Sequence, residues 1–171
     1  PAAAERVETS NPRRIVRALE VIEITGRPFS ASLPRYEDIA PTVHIALRCE
    51  RRLLDLRINE RARAMFDGGL VEEVEALIDQ GIREGETAPR AIGYAQALAV
   101  IDGTMSVPEA VDSTALATRQ LASRQIKWFR RDPRLHWIDV ALTEAGQCTD
   151  SERSRLTRQA WELVCARRGV A

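Results

Sequence analysis

The chain has 171 residues, formal net charge +0, 29% charged residues and only 5% aromatic residues. That length holds one sizeable core or part of a larger protein, and a balanced charge excludes global attraction to nucleic acid, leaving local clustering as the only electrostatic route to such a partner. No apolar run reaches transmembrane length and no signal peptide is visible, while the scattered Cys49, Cys148 and Cys165 fit neither a metal site nor a disulfide framework; a reduced, cytoplasmic protein is expected.

The chain opens on Pro1, and Ala2 to Arg6 reads as the middle of a helix, so a start inside a longer protein is expected. Asn11 and Pro12 form a helix start of cap and first position, and the helix runs to about Thr25 with Gly26 as its stop. Arg13, Arg14 and Arg17 share one side of its first turns. Cations there oppose the helix dipole, which leaves a solvated cluster or a binding patch. Pro28, Pro34 and Pro41 predict a loop, and Thr42 to Leu47, rich in β-branched residues, predicts a buried parallel strand.

A strong helix is predicted from Arg51 to about Asp67, closed by Gly68 and Gly69. Its wheel places Leu53, Leu54, Ile58, Ala64 and Met65 in one stripe, with Arg57 and Arg61 inside it. A buried guanidinium needs an anion, either an internal carboxylate or a ligand phosphate. Leu70 to Gln80 predicts a packing helix and Ile82 to Pro89 a loop. Gly93, in the run Arg90 to Gln96, sits in a predicted helix, where it costs about 1 kcal/mol unless a backbone or ligand approaches closely.

Ser106 to Glu109 is a capping box that starts a long helix. From Thr118 to Arg131 the wheel gives one arc of Arg119, Gln120, Ser123, Arg124, Lys127, Arg130 and Arg131, without a carboxylate. The opposite arc, Leu121, Ala122, Ile126, Trp128 and Phe129, is expected to pack, with Thr118 and Gln125 inside it needing partners. Trp128, Phe129 and Trp137 together suggest a local aromatic anchor. Either the polar arc is a solvated face, or it neutralises phosphates while amides and rings address bases. A second strand is predicted at Leu135 to Val140. A capping box at Thr149 to Glu152 starts a last helix to about Arg168 that buries Leu156, Ala160, Leu163 and Val164.

The runs Thr118 to Ala122, Arg124 to Arg130 and His136 to Asp139 resemble the C-terminal signature of the tRNA dimethylallyltransferases, also called tRNA isopentenyltransferases. Asn11 to Val21, Arg52 to Arg61 and Ala91 to Tyr94 are similar to further segments of that family. The resemblance implies a mainly α chain with two short parallel strands, the C-terminal half of an α/β P-loop kinase-like fold plus a helical tRNA-binding region. It implies core-completing segments at 1–67 and 118–171 and a helical insertion at about 68–117. It also implies transfer of a dimethylallyl group from dimethylallyl diphosphate to the exocyclic amine of the adenosine 3′ of the tRNA anticodon. Arg61 would meet the diphosphate, with Arg57 a second phosphate candidate. Arg13, Arg14, Arg17, Arg90, Ile92, Gly93, Tyr94, Arg124, Gln125, Lys127, Trp128 and Arg130 would contact the anticodon arm. Magnesium is implied with ligands outside this chain, and a monomer is expected. No G-x-x-x-x-G-K-[ST] cradle occurs in these residues, so the chain is expected to be inactive alone. Ser123 stands where the family usually has lysine, and Gln96 lies where some members have glutamate. Two other readings stay open, a small-molecule kinase fragment and a non-catalytic helical RNA-binding module.

Overall fold

The computed structural model describes residues 10–27, 29 and 36–168. The readings of Ala2 to Arg6, Pro28 and Pro34 lie outside them. The chain forms two compact units, Pro1–Ala40 and Pro41–Ala171. In the first unit, α1 spans Pro12–Thr25 between Asn11 and a left-handed Gly26 (φ 62°), with Ala18 buried. Glycine suits that last position because it carries no Cβ to clash at positive φ.

The second unit contains β1 (His44–Arg48), α2 (Arg51–Asp67), α3 (Leu70–Ala76), α4 (Tyr94–Ile101), α5 (Val107–Phe129), β2 (Leu135–Asp139) and α6 (Asp150–Arg168). The predicted helix over Leu70 to Gln80 ends at Ala76; residues 77–81 form single hydrogen-bonded turns, closed by Gly81 N–H on Ile78 O at 3.0 Å. Short 3₁₀ turns at Ile82–Glu84 and Ala88–Arg90 replace the predicted loop. The first strand begins two residues later than predicted and runs one further, to Arg48.

The two strands pair in parallel, His44 opposite Leu135 and Arg48 opposite Asp139. Ile138 is the best covered residue of the pair, whereas Leu47 is largely open. Parallel strands are ordinarily covered on both faces, and this pair is not.

The densest packing lies between α2, α3, α4 and the start of α5. Phe66, Leu70, Val74, Ile82, Ala97, Leu98 and Ala110 form one buried cluster. Full burial of a large apolar side chain is worth roughly 1.5–3 kcal/mol, so these side chains hold that helical part together. Arg83 adds a two-pronged bond to Asp102, at 2.6 and 3.2 Å. A smaller cluster of Ile58, Ala62 and Ala115 joins α2 to α5, where alanines allow close helix approach.

At the start of α5, Ser106 donates from both its N–H (2.8 Å) and its hydroxyl (2.6 Å) to Glu109 Oε2, which holds the Glu109 carboxyl below its usual range. The start of α6 differs from the expected reciprocal box. Thr149 Oγ1 accepts the Glu152 N–H at 3.2 Å, but the Glu152 carboxylate turns away to Ala141 N–H at 2.8 Å and to Arg155. Further along α6, Leu156, Ala160, Leu163 and Val164 are half-buried rather than fully covered. No helix among the described residues is long and apolar enough to cross a membrane.

Candidate RNA and diphosphate site

In α2 the buried positions are Leu53, Ile58, Ala62 and Phe66, so of the predicted stripe Leu53 and Ile58 are buried, while Leu54 and Met65 are half-buried. Ala64 is exposed, and so are Arg57 and Arg61. The reason is rotational phase. At about 100° per residue, Ile58, Ala62 and Phe66 span one arc, and Arg57 and Arg61 fall on its flank beside Leu54 and Met65. The argument that burial forces these arginines onto an anion therefore fails. What remains is placement: among the described residues neither is ion-paired, and both rim a cavity of about 320 Å3 between α2 and α5. Leu54, Ile58, Met65, Ile92 and Leu121 give that cavity an apolar wall. Thr114, buried at 2% exposure, lines it too, and its hydroxyl has no partner among the described residues. The cavity thus combines apolar surface, a spare hydroxyl and two cations, a set suited to an amphiphile with an anionic end.

The second half of α5 also departs from its predicted wheel. Arg119 is half-buried and donates to Asn59 across the α2 interface, leaving the cationic arc. Ser123 accepts from Arg51 Nη1 at 2.7 Å. Thr118 donates to Thr114 O at 2.8 Å within its own helix, and Gln125 is exposed, so neither polar group needs a ligand to escape burial. Leu121, Trp128 and Phe129 are exposed as well, Trp128 to 65%; of the expected packing arc Ala122 and Ile126 are half-buried, and of the expected aromatic anchor only Trp137 is. The helix rotates its alanines and threonines toward α2, which carries both larger arcs outward. Arg124, Lys127, Arg130 and Arg131 stay exposed, with no ion pair among the described residues. A cationic end with open aromatic surface is therefore available at the tail of α5.

Gly93 is not inside a helix. It precedes α4 at φ 98° and is buried. A Cβ there would stand 3.2 Å from Met65 Cε and 3.5 Å from Leu70 Cδ2, so tight packing and positive φ together account for the glycine. Its N–H donates to Gln96 Oε1 at 2.8 Å, and Gln96 Nε2 reaches Ser113 Oγ at 3.3 Å. Gln96 is committed internally. The Tyr94 hydroxyl donates to the Glu73 carboxylate, which pushes the phenol pKa up. Arg90 is exposed and Ile92 half-buried, the latter on the wall of the Arg57 and Arg61 cavity.

In the first unit Arg13, Arg14 and Arg17 are all exposed, and Arg17 pairs with Glu20 at 3.3 Å. Among the described residues no group of three His, Cys, Asp or Glu side chains could hold a metal. The three cysteines are free thiols.

Sequence reasoning gave no site role to Arg51, Thr114 or Trp137, the last of which it placed only in a local aromatic anchor. Arg51 stands four residues before Asp55 and looks like half of a helix ion pair. Trp137 looks like strand core, and a threonine in a helix carries no signal until the neighbouring cavity is seen.

A family model described as IPP transferase matches residues 1–132. A tRNA dimethylallyltransferase of Streptomyces avermitilis is 52% identical over 150 residues, covering 86% of this chain and 48% of its own length. Another, from Streptomyces coelicolor, is 48% identical over 164 residues, covering 96% of this chain and 50% of its own length. The chain thus spans about half the length of the curated relatives it matches. Among solved structures, the full-length tRNA isopentenylpyrophosphate transferase from Bacillus halodurans superposes with TM-score 0.63 at 30% identity, over 98% of this chain and 50% of that one. A match over most of the chain, agreeing with the sequence and fold of these relatives, places it: the chain belongs to the IPP transferase family.

Proposed function

We propose that this chain is the tRNA- and diphosphate-contacting part of a tRNA dimethylallyltransferase, one that modifies the adenosine 3′ of the anticodon. The observation that carries this is the juxtaposition on α2 and α5 of an apolar cavity rimmed by Arg57 and Arg61, neither ion-paired among the described residues, with a carboxylate-free cationic tail at Arg124, Lys127 and Arg130. Membership of the IPP transferase family supports it. In the reaction, the exocyclic nitrogen of adenosine attacks the terminal prenyl carbon and a C–N bond forms. The C–O bond to the diphosphate breaks, and the diphosphate leaves with the electron pair. The nitrogen loses its proton to a base that lies outside these residues.

Within this chain, Arg61 stabilises charge gathering on the leaving diphosphate, with Arg57 beside it. Arg124, Gln125, Lys127, Trp128 and Arg130 hold the anticodon arm, together with Arg90, Ile92 and Tyr94 and the α1 cluster Arg13, Arg14 and Arg17, while the buried Gly93 shapes the backbone between Ile92 and Tyr94. Their contacts offset the few kcal/mol needed to unstack the target base. The open two-stranded sheet is read as part of a larger P-loop kinase-like sheet, whose remaining strands carry the phosphate cradle and the magnesium site.

In an enzyme containing this chain together with that cradle, Arg61→Ala is expected to cut turnover roughly 10²–10³-fold while tRNA affinity changes little. Equal losses in both would remove Arg61 from the diphosphate. Absence of prenyl transfer to tRNA by such an enzyme, measured with labelled dimethylallyl diphosphate, would remove the whole reading.

A further inference from the structure

A second cavity, of about 370 Å3, lies on the α2 and α5 pair and shares only Leu54 with the first. Its lining includes Arg48, which ends β1, and Cys49, which follows it, and the carboxyl ends of parallel strands are where ligands ordinarily bind. Its charged lining is Arg48, Arg51, Lys127 and Arg130, with no carboxylate. Two of these cations are partly engaged: Arg48 is bonded to Asp139, and Arg51 Nε stands 2.8 Å from Asp55 Oδ1. The Asp55 contact is an ion-pair distance without hydrogen-bond alignment. The outer nitrogens of Arg51 reach instead across to α5, to Ser123 Oγ at 2.7 Å and the Arg119 carbonyl at 3.4 Å. That stretch draws the guanidinium over the cleft. Lys127 and Arg130 have no ion pair among the described residues. Trp137 supplies an aromatic wall and Ile126 an aliphatic one.

Lys127 and Arg130, without carboxylate partners among the described residues, call for an anion, and an indole wall calls for a flat ring. The volume suits a small ligand, since such pockets run from roughly 300 to 1,000 Å3. We propose that this cleft is a mononucleotide subsite, its phosphate held by Arg51, Lys127 and Arg130 and its base lying against Trp137. The nucleotide is either free or one unit of an RNA strand. Only the RNA source rests on the function proposed above.

Cys49 lines the same cleft and reports on it. Burial pushes its thiol pKa up, so alkylation is run at mildly alkaline pH on the full chain, with peptide mass mapping of all three cysteines. AMP at millimolar concentration is expected to slow N-ethylmaleimide modification of Cys49 by about fivefold or more, as a saturated site would, and to leave Cys165 unchanged. Adenosine and inorganic phosphate, each offering half of the interaction, protect less. Protection is lost in Lys127→Ala and Trp137→Leu, retained in Trp137→Phe, and each variant is checked for an unchanged thermal midpoint. No protection by AMP overturns the subsite, and so does phosphate protecting as well as AMP, because Trp137 would then hold no base. A short RNA provides the other arm. Protection by both RNA and AMP assigns the cleft to a strand. Protection by AMP with no RNA binding keeps the cleft but sinks the tRNA reading, and RNA retention without AMP protection does the reverse.

Discussion

The first half of α5 buries Ala110, Thr114 and Ala115 against α4 and α2, whereas its second half leaves Leu121, Trp128 and Phe129 open beside Arg124 and Lys127. The same continuous helix serves two ends. Small side chains at the front let neighbouring helices approach, and cohesion follows from their contact. At the tail, large and charged side chains add little to cohesion and leave the kind of exposed apolar surface that marks an interaction site. The comparison teaches that a helix's stability and its chemistry can be supplied by different turns.

The largest effect should come from the front. Phe66 belongs to the cluster that includes Ala110, and Phe66→Ala is expected to cost about 3–5 kcal/mol by removing a buried ring and leaving a cavity. Urea denaturation of the second unit measures it. A loss no larger than that of an exposed substitution would erase the distinction between the two halves. Gly93→Ala, at the edge of the same core, combines positive φ with a 3.2 Å approach to Met65 Cε. Strain at such a position costs roughly 1–3 kcal/mol. The flexible end of Met65 can yield, so the backbone conformation sets the cost; its ψ of -54° lies outside the left-handed helical region that asparagine tolerates, so the larger Gly93→Asn should cost at least as much as Gly93→Ala in the same denaturation experiment.

Acid provides a finer separation. Glu152, 8% exposed, has its carboxyl held down to about 2 by Arg155 first and by the Ala141 N–H second. A carboxylate whose folded pKa lies below its ordinary 4.5 contributes stability that is complete above 4.5 and disappears as pH falls toward about 2. Arg155 also donates to the Asp139 carbonyl at 2.6 Å, so this clasp joins α6 to the end of β2. Hydrogen exchange should therefore show α6 amides losing protection across that window before the buried turns of α4 at Ala97 and Leu98. Simultaneous loss would mean that α6 is held by packing rather than by this clasp.

Element boundaries were legible wherever a local chemical signal fixes them. Asn11 with Pro12, Gly26, Gly68 and the Ser106 box all mark ends that the structure places within a residue of the reading. Rotational phase was not legible. Arg57 and Arg61 look central on an α2 wheel drawn alone, but the buried side of α2 is chosen by Ala115 of α5, far away in sequence. The same choice turned Trp128 outward and Arg119 inward. At the candidate site, the cations could be read because their lack of nearby acids is local information. Thr114, Arg51 and Trp137 could not, because each gains meaning only from a cavity assembled from several elements.

The smallest stability effect is the most informative about the tail. Trp128 is 65% exposed, so Trp128→Ala should change the unfolding free energy by no more than about 0.5 kcal/mol, the usual range for surface positions. If the ring instead serves as a stacking platform, its loss should weaken RNA retention by roughly 1–3 kcal/mol, a loss that persists at high salt because stacking releases no counterions. Lys127→Ala should do the opposite, lowering the slope of log affinity against log salt by about one. Substituting both separates ring from charge within one turn of helix, since Trp128 and Lys127 are adjacent in sequence and both exposed. A Trp128→Ala protein that unfolds as readily as Phe66→Ala would show that the tail is structural after all, and the division of α5 into a packed front and a binding end would fail.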